Sequence, residues 1–155
     1  MRITVGSDHA GFELKSMLRD FLEQQGHTIT DVGTNSSAPV DYPDYAEAVA
    51  LSLLKGQSER AILICGSGVG ASVAANKIPG IRAGLVHDHF SARQGVEDDH
   101  MNIICMGGRT VGPAVAWDLV ETFLSAEFSG AERHLRRLGK VASLETPPAC
   151  DRQGA

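Results

Sequence analysis

Five short apolar segments recur along the chain, at residues 3–6, 28–32, 61–65, 83–86 and 103–106. Each is rich in β-branched or aliphatic residues, alternates little with polar positions, and ends near glycine, aspartate or histidine. Nearly continuous apolar segments of this length are typical of strands buried on both faces, as in parallel sheets. The pattern therefore predicts a mainly parallel sheet.

Between these segments the apolar residues follow a helical period. Over residues 14–22 they lie three and four positions apart, and Gly26 is placed to end that helix. Further helices are predicted at residues 45–54, 70–77, 91–96, 115–123 and 132–141. Strands that alternate with helices in this way indicate an α/β protein with helices on both faces of its sheet.

Composition and length narrow the possibilities. The chain has 155 residues, which suits one domain, expected at residues 1–145, with a flexible C-terminal tail at residues 146–155. The net charge of −5 argues against a nucleic-acid partner. No apolar run approaches the ~20 residues of a membrane span, and no signal-peptide pattern precedes the first predicted strand. Three separated cysteines without metal-ligand spacing favour a reduced, cytoplasmic location.

Residues suited to catalysis or ligand binding follow four of the predicted strands, at positions 7–11, 65–70, 88–89 and 107–109. Ligands of open α/β sheets bind beyond the carboxyl ends of the strands, so these segments are expected to converge. The segment Cys-Gly-Ser-Gly-Val-Gly at 65–70 is the most distinctive, because its glycines let backbone N–H groups approach an anion closely. The structural alternative is a tight strand-to-helix turn.

Cys65 opens this loop beside the start of a predicted helix, where a thiolate is favoured and can act as a base or nucleophile. The alternative is a small buried residue that ends a strand. Cys105, inside the fifth predicted strand, is interpreted in that second way. Asp8 and His9 follow the first strand and suit proton transfer or hydroxyl binding, although Ser7 or Asp8 could also cap the next helix.

Two charged segments can each be interpreted either as a binding site or as a solvent-exposed part of the surface. Glu-Asp-Asp-His at residues 97–100 could hold a metal, but no further ligand lies at a suitable spacing, and the segment is interpreted as a solvated loop before the fifth strand. Arg133, Arg136, Arg137 and Lys140 share one helical stripe, and arginine binds phosphate through its planar guanidinium. A solvent-facing basic helix is the alternative.

Several motifs occur in a fixed order over residues 1–144: GSDHAGFELK at 6–15, DYP at 41–43, CGSGVG at 65–70 with AANK at 74–77, GIRA at 80–83 and NIICMGGR at 102–109. Together they resemble the type B ribose-5-phosphate isomerases, which form one family with the galactose-6-phosphate isomerase subunits. The resemblance implies a three-layer αβα Rossmann-like sandwich with a five-stranded parallel sheet. It also implies an aldose–ketose isomerase that interconverts ribose 5-phosphate and ribulose 5-phosphate through a cis-enediolate, without metal or organic cofactor.

The same resemblance assigns roles to residues. Cys65 is the general base, since some family members use a glutamate where this chain has Ala71, and Ser67 assists at the neighbouring oxygen. Backbone N–H groups of the loop stabilise the enediolate. The implied substrate-binding residues are Asp8, His9, Tyr42, Gly66, Ser67, Gly68, Val69, Gly70, Asp99, Arg109, Arg133 and Arg137. The three arginines in this set are implied to hold the phosphate. A homodimer or homotetramer with active sites between subunits is also implied.

One position departs from the family pattern. The family has a histidine four residues before Asn102 that helps to open the sugar ring, whereas this chain has Asp98 there and His100 two residues later. Ring opening is therefore assigned to Asp98, His100 or His9, or is unnecessary for a short sugar. The alternatives are an isomerase of allose 6-phosphate, galactose 6-phosphate or a tetrulose phosphate, and a non-catalytic phosphosugar-binding subunit. A flavodoxin-like nucleotide module rests on the fold alone.

Overall fold

The computed structural model describes residues 1–146, so Cys150 and nearly all of the predicted tail lie outside the described residues. Five parallel strands form one sheet in the order β2-β1-β3-β5-β4. Their bounds are β1 Arg2–Ser7, β2 Thr28–Asp31, β3 Arg60–Cys65, β4 Ala83–Leu85 and β5 Ile103–Gly107. All five predicted strands are confirmed within one or two residues at each end.

Six helices are described: α1 Phe12–Gln24, α2 Tyr42–Leu54, α3 Val69–Ala75, α4 His89–Asp99, α5 Pro113–Ser125 and α6 Glu132–Ser143. Helices α1, α4 and α5 bury their apolar faces against one side of the sheet, and α2 and α3 cover the other. Helix α6 lies outside these layers, against α4. The three-layer αβα sandwich is thus confirmed. None of these helices combines the length and the apolar character that a bilayer crossing requires.

The helix boundaries follow local chemistry. Gly26 adopts a φ of +83° just beyond α1, where the left-handed backbone costs a glycine little, so the predicted end of that helix is confirmed. Helix α2 begins three residues earlier than predicted because Pro43 lies in its first turn, where a missing N–H costs no hydrogen bond. Helix α5 likewise begins at a proline, Pro113.

The interpretation of residues 97–100 as a loop is wrong. Glu97 to Asp99 form the last turn of α4, and His100 ends the helix in the left-handed conformation with a φ of +51°. Carboxylates are unfavourable near a helix C-terminus, so these acidic residues are not ones that local preference places in the last turn of a helix. The turn is held by hydrogen bonds, since Gln94 Nε2 donates to Asp98 Oδ2 at 2.9 Å and the His100 N–H reaches the Val96 carbonyl at 3.1 Å.

Strand register decides which side chains meet. Ser7 pairs with Ile64 across β1 and β3, and Cys65 pairs with Gly107 across β3 and β5. The loops that follow these three strands therefore begin at one edge of the sheet. The end of α4 and the start of β5 lie at the opposite edge, because parallel strands are joined by helices that run back along the sheet.

Candidate active site

A cavity of about 460 Å³ lies at the carboxyl edge of the sheet. It is lined by Asp8, Tyr42, Cys65, Gly66, Ser67, Gly70, Arg109 and Thr110. Seven of these eight residues were predicted from the sequence, and the structure brings them together from β1, β3 and β5 and from the start of α2. We refer to this cavity as the Cys65 cleft.

The glycines of the loop after β3 are required by close packing. Gly68 has a φ of +83°, and a Cβ there would lie 2.8 Å from the carbonyl carbon of Met106. A Cβ on Gly70 would lie 2.8 Å from the Tyr42 ring. Side chains at these positions would push the loop away from β5 and from α2. The glycines therefore fix where the loop lies relative to Cys65.

The Cys65 side chain is 5% exposed, and its sulfur accepts a hydrogen bond from the Gly68 N–H at 3.1 Å. A donor aimed at sulfur stabilises negative charge on it. Ser67, two residues after Cys65, accepts the Val69 N–H on its Oγ at 3.3 Å. The N–H groups of Gly66, Ser67 and Gly70 have no acceptor among residues 1–146. Two loop N–H groups thus support side chains, and three are left without an acceptor among the described residues.

Cys105 lies on the same side of the sheet but has a different environment. It is fully buried, and burial raises the pKa of its thiol, with a smaller contribution from Cys65. The interpretation of Cys105 as a small core residue is confirmed. Of the two described cysteines, only Cys65 lines a cavity at the carboxyl edge.

Asp8 is 7% exposed and does not cap α1, which begins after Gly11 without a side-chain cap. Its Oδ1 instead accepts the N–H groups of Ala10 and Gly11 at 2.9 and 3.1 Å. This turn leaves Oδ2 without a hydrogen bond among the described residues. The helix-cap interpretation of Asp8 is therefore wrong, and one carboxylate oxygen remains available at the cleft.

His9 lies beside the cleft and contacts the loop that leads to α2. The Val40 N–H donates to His9 Nδ1 at 3.2 Å, while the Val40 carbonyl lies 3.3 Å from the same nitrogen. The N–H contact requires an unprotonated Nδ1 and the carbonyl contact a protonated one, so either tautomer of a neutral His9 keeps one hydrogen bond to Val40. Val40 was not predicted as a site residue, since nothing in sequence links it to a residue 31 positions away.

Arg109 follows β5 and lies over the loop. Its N–H donates to the Gly66 carbonyl at 3.1 Å, and its Nη1 lies 3.7 Å from the place that a Cβ on Gly66 would take. The adjacent Gly108 N–H donates to the Cys65 carbonyl at 2.8 Å. These two backbone bonds hold the loops after β3 and β5 together, and the Arg109 guanidinium lies over Gly66 at the cleft.

The remaining predicted residues do not reach this cleft. Asp98, Asp99 and His100 lie at the amino edge of the sheet, where the Arg82 Nε–H donates to the His100 carbonyl at 2.7 Å. A five-residue strand, β5, separates the two edges, a distance of roughly 15 Å. Arg133 and Arg137 are exposed on α6, which packs against α4. Within one protomer the candidate residues therefore form two separate groups.

His100 is held by stacking. Its ring lies 4.6 Å from the Phe128 ring with an interplanar angle of 13°. Burial of one ring face lowers the pKa of His100, and the positive charges of Arg82 and Arg60 lower it further. The ring is therefore neutral over a wider pH range than a free imidazole. No group of three or more histidine, cysteine or acidic side chains in residues 1–146 is arranged to hold a metal ion.

Comparison with known proteins gives consistent matches. Residues 3–141 match the family model described as Ribose/Galactose Isomerase. The solved structure of Clostridium thermocellum ribose-5-phosphate isomerase B superimposes with a TM-score of 0.91 at 45% identity, covering 94% of this chain and 97% of that one. Ribose-5-phosphate isomerase B of Escherichia coli is 40% identical over 144 residues, 93% of this chain and 96% of that protein. The D-erythrulose-4-phosphate isomerase of Pectobacterium atrosepticum is 37% identical over 132 residues, 84% of this chain and 86% of that protein.

Proposed function

The chain belongs to the ribose/galactose isomerase family, and on that premise we propose that it interconverts ribose 5-phosphate and ribulose 5-phosphate. The observation that carries this proposal is that Cys65 lines a cleft together with Gly66, Ser67 and Gly70, whose backbone N–H groups have no acceptor in residues 1–146. A base next to preorganised donors is what proton transfer through an enediolate requires.

The reaction begins with the open-chain aldose. The Cys65 thiolate removes the proton from C2, the electrons of that C–H bond form the C1–C2 double bond, and the carbonyl electrons move to O1. The N–H groups of Gly66 and Ser67 stabilise the resulting cis-enediolate oxygens. The Ser67 hydroxyl, whose oxygen accepts the Val69 N–H, takes the proton from O2 while it gives its own proton to O1. Cys65 then returns the C2 proton to C1 as the electrons on O2 form the new carbonyl.

Replacement of the base tests this mechanism. Cys65→Ala is expected to lower kcat for ribose 5-phosphate by ~10²–10⁴-fold, the usual contribution of a proton-transfer group. Cys105→Ala removes a thiol from the same side of the sheet and is the matched control, with an unchanged kcat. The measurement is coupled turnover together with circular dichroism of each variant. A fully active Cys65→Ala protein would show that another group is the base.

A second copy of the chain is the proposed source of the residues that one cleft lacks. Helices α2 and α3 expose Leu51, Leu54, Val69 and Val73 by 39 to 55%, and Val69 begins α3 directly beside the cleft. An apolar face of this kind is suited to a partner. A copy packed there would bring its own α4 end and the arginines of α6 towards Cys65 and Arg109. We propose a homodimer, or a tetramer built from it, with the phosphate bound between subunits.

The second candidate substrate is a four-carbon sugar phosphate, erythrose 4-phosphate with erythrulose 4-phosphate. A tetrose that carries phosphate on O4 has no free hydroxyl that can close a five-membered ring, so its isomerisation needs no ring-opening group. Asp98 favours this candidate, because it stands where the family has the ring-opening histidine and its carboxylate already accepts a hydrogen bond from Gln94. The similar protein named for D-erythrulose 4-phosphate gives further support.

A substrate panel distinguishes these candidates. Turnover of ribose 5-phosphate, allose 6-phosphate, galactose 6-phosphate and erythrose 4-phosphate is compared as kcat/KM for the same preparation. The highest value for the pentose supports the first proposal, and the highest value for the tetrose supports the second. Tight binding of these compounds without turnover would instead identify a non-catalytic phosphosugar-binding subunit.

A further inference from the structure

His134 is the one buried residue of α6, with 2% of its surface exposed. Its Nδ1 lies 2.7 Å from the Ser129 Oγ. Its Nε2 has two neighbours, the Arg133 Nε at 3.0 Å and the Asp98 Oδ1 at 3.4 Å. One imidazole nitrogen is therefore shared by a cation and a carboxylate.

The geometry settles where the proton of the neutral ring lies. A guanidinium is always protonated, so Arg133 Nε–H donates and the His134 Nε2 must accept. The single ring proton then lies on Nδ1, where it is donated to the Ser129 hydroxyl oxygen. In this state Asp98 Oδ1 and Nε2 have no proton between them, which agrees with the longer of the two distances.

Protonation of the ring reverses the arrangement. A second proton on Nε2 would be donated to Asp98, and the ring would then carry a positive charge next to the Arg133 guanidinium. The charged groups of residues 1–146 in contact with the ring are Asp98 from α4 and Arg133 from α6 itself, while the segment between α5 and α6 supplies only Ser129. Asp98 and Arg133 thus require opposite protonation states of His134.

We propose that His134 is a positioning residue for Arg133. When its ring is protonated, the hydrogen bond from the Arg133 Nε–H is lost, and Nε2 donates to Asp98 instead. Neither terminal amino group of Arg133 has a partner among residues 1–146, so the Nε–H bond to His134 is what orients the guanidinium. A bidentate phosphate contact depends on that orientation. The inference rests on the proposed function, in which Arg133 binds the substrate phosphate.

The kinetic test compares wild type with His134→Gln, because the glutamine Oε1 can accept the Arg133 Nε–H and does not titrate. The substrate phosphate itself titrates near pH ~6, so the quantity measured is the ratio of the two KM values at each pH from 5.5 to 8.5. The ratio of wild-type to variant KM is expected to lie near one at pH 8.5 and to rise roughly fivefold or more at pH 5.5. The corresponding kcat ratio should stay constant. A KM ratio independent of pH would overturn the proposal.

The second test does not depend on turnover. Nitrogen-15 chemical shifts of the His134 ring at pH 8.5 should show the proton on Nδ1, and a proton on Nε2 there would overturn the proposal. In Asp98→Asn the ring should take up its second proton at a lower pH than in wild type, because the carboxylate that stabilises the charged ring is absent. An unchanged titration would also overturn it. Failure of wild type to isomerise ribose 5-phosphate would count against the proposed function and leave these ring measurements decisive for His134.

Discussion

The backbone of Gly68 is where the loop after β3 turns into α3, and its conformation decides where the sulfur and the N–H donors lie. The Gly68 N–H donates to the Cys65 sulfur, and the Gly68 φ of +83° turns the chain from the loop into α3. The glycine-rich pattern predicted that the loop would approach an anion. It did not predict which N–H groups would remain available, because that depends on how the loop folds onto the side chains of Cys65 and Ser67.

Alanine substitutions at two glycines with the same φ distinguish the cost of steric clash from the cost of backbone strain. Gly68 and Gly26 both have a φ of +83°, but a Cβ on Gly68 would lie 2.6 Å from Leu85 Cδ1, whereas nothing lies within 4 Å of one on Gly26. Gly26→Ala is expected to cost ~1–2 kcal/mol of stability from strain alone. Gly68→Ala should cost ~2–5 kcal/mol, because overpacking is added, and should also lower kcat.

Urea unfolding of both variants gives the two stability changes, and turnover under folded conditions gives the activity. Equal losses of stability in the two variants would contradict the role of close packing at Gly68. Full activity of a folded Gly68→Ala protein would contradict the role of the loop backbone in catalysis.

Among the secondary structure elements, the connection from β2 to α2 depends on a buried ion pair. Lys15 of α1 is 1% exposed, and its Nζ donates to Asp31 Oδ1 at 2.6 Å and to the Thr34 carbonyl at 2.8 Å. The same connection later supplies Val40, which contacts His9. The helical pattern of α1 was readable from its leucines, but a lysine on its buried face contradicts that pattern. Only the position of Asp31 at the end of β2 explains it.

Removal of one partner from this pair is expected to be costly. Lys15→Met leaves the Asp31 carboxylate and the Thr34 carbonyl without their buried donor, and should lower the free energy of unfolding by ~3–5 kcal/mol. Arg19→Met is the control, since Arg19 reaches the same carboxylate at 3.4 Å from a side chain that is 35% exposed, and should cost less than ~1 kcal/mol. Thermal and urea unfolding measure both. Similar losses would show that burial does not decide the strength of these contacts.

For the whole molecule, the central fact is that the candidate residues lie at two edges of one sheet. Asp8, Cys65, Ser67 and Arg109 meet at the carboxyl edge. Asp98 and the arginines of α6 lie near the amino edge, because α4 runs back along the sheet. A single chain cannot bring both groups to one substrate without dismantling the sheet between them.

Mixed oligomers test whether two chains share a site. Cys65→Ala and Arg137→Ala proteins should each lose nearly all activity alone. Co-expressed with different affinity tags and purified through both, a mixed dimer carries one site with both original residues and one with neither, so about half of the wild-type activity should return. A mixed preparation that is no more active than its components would show that Cys65 and Arg137 do not act in a shared site.

The sequence by itself determined the five strands, the alternation of layers, the glycine loop with Cys65, and the grouping of Asp8 and Arg109 beside it. These features depend on local periodicity and on the rule that strand ends converge, so they can be read without coordinates. Only the tertiary structure decided that α4 continues through Asp98, that His9 is held by Val40, and that His134 lies between Arg133 and Asp98. Those features depend on contacts between distant segments, whose geometry is set by packing and by the competition for each hydrogen bond.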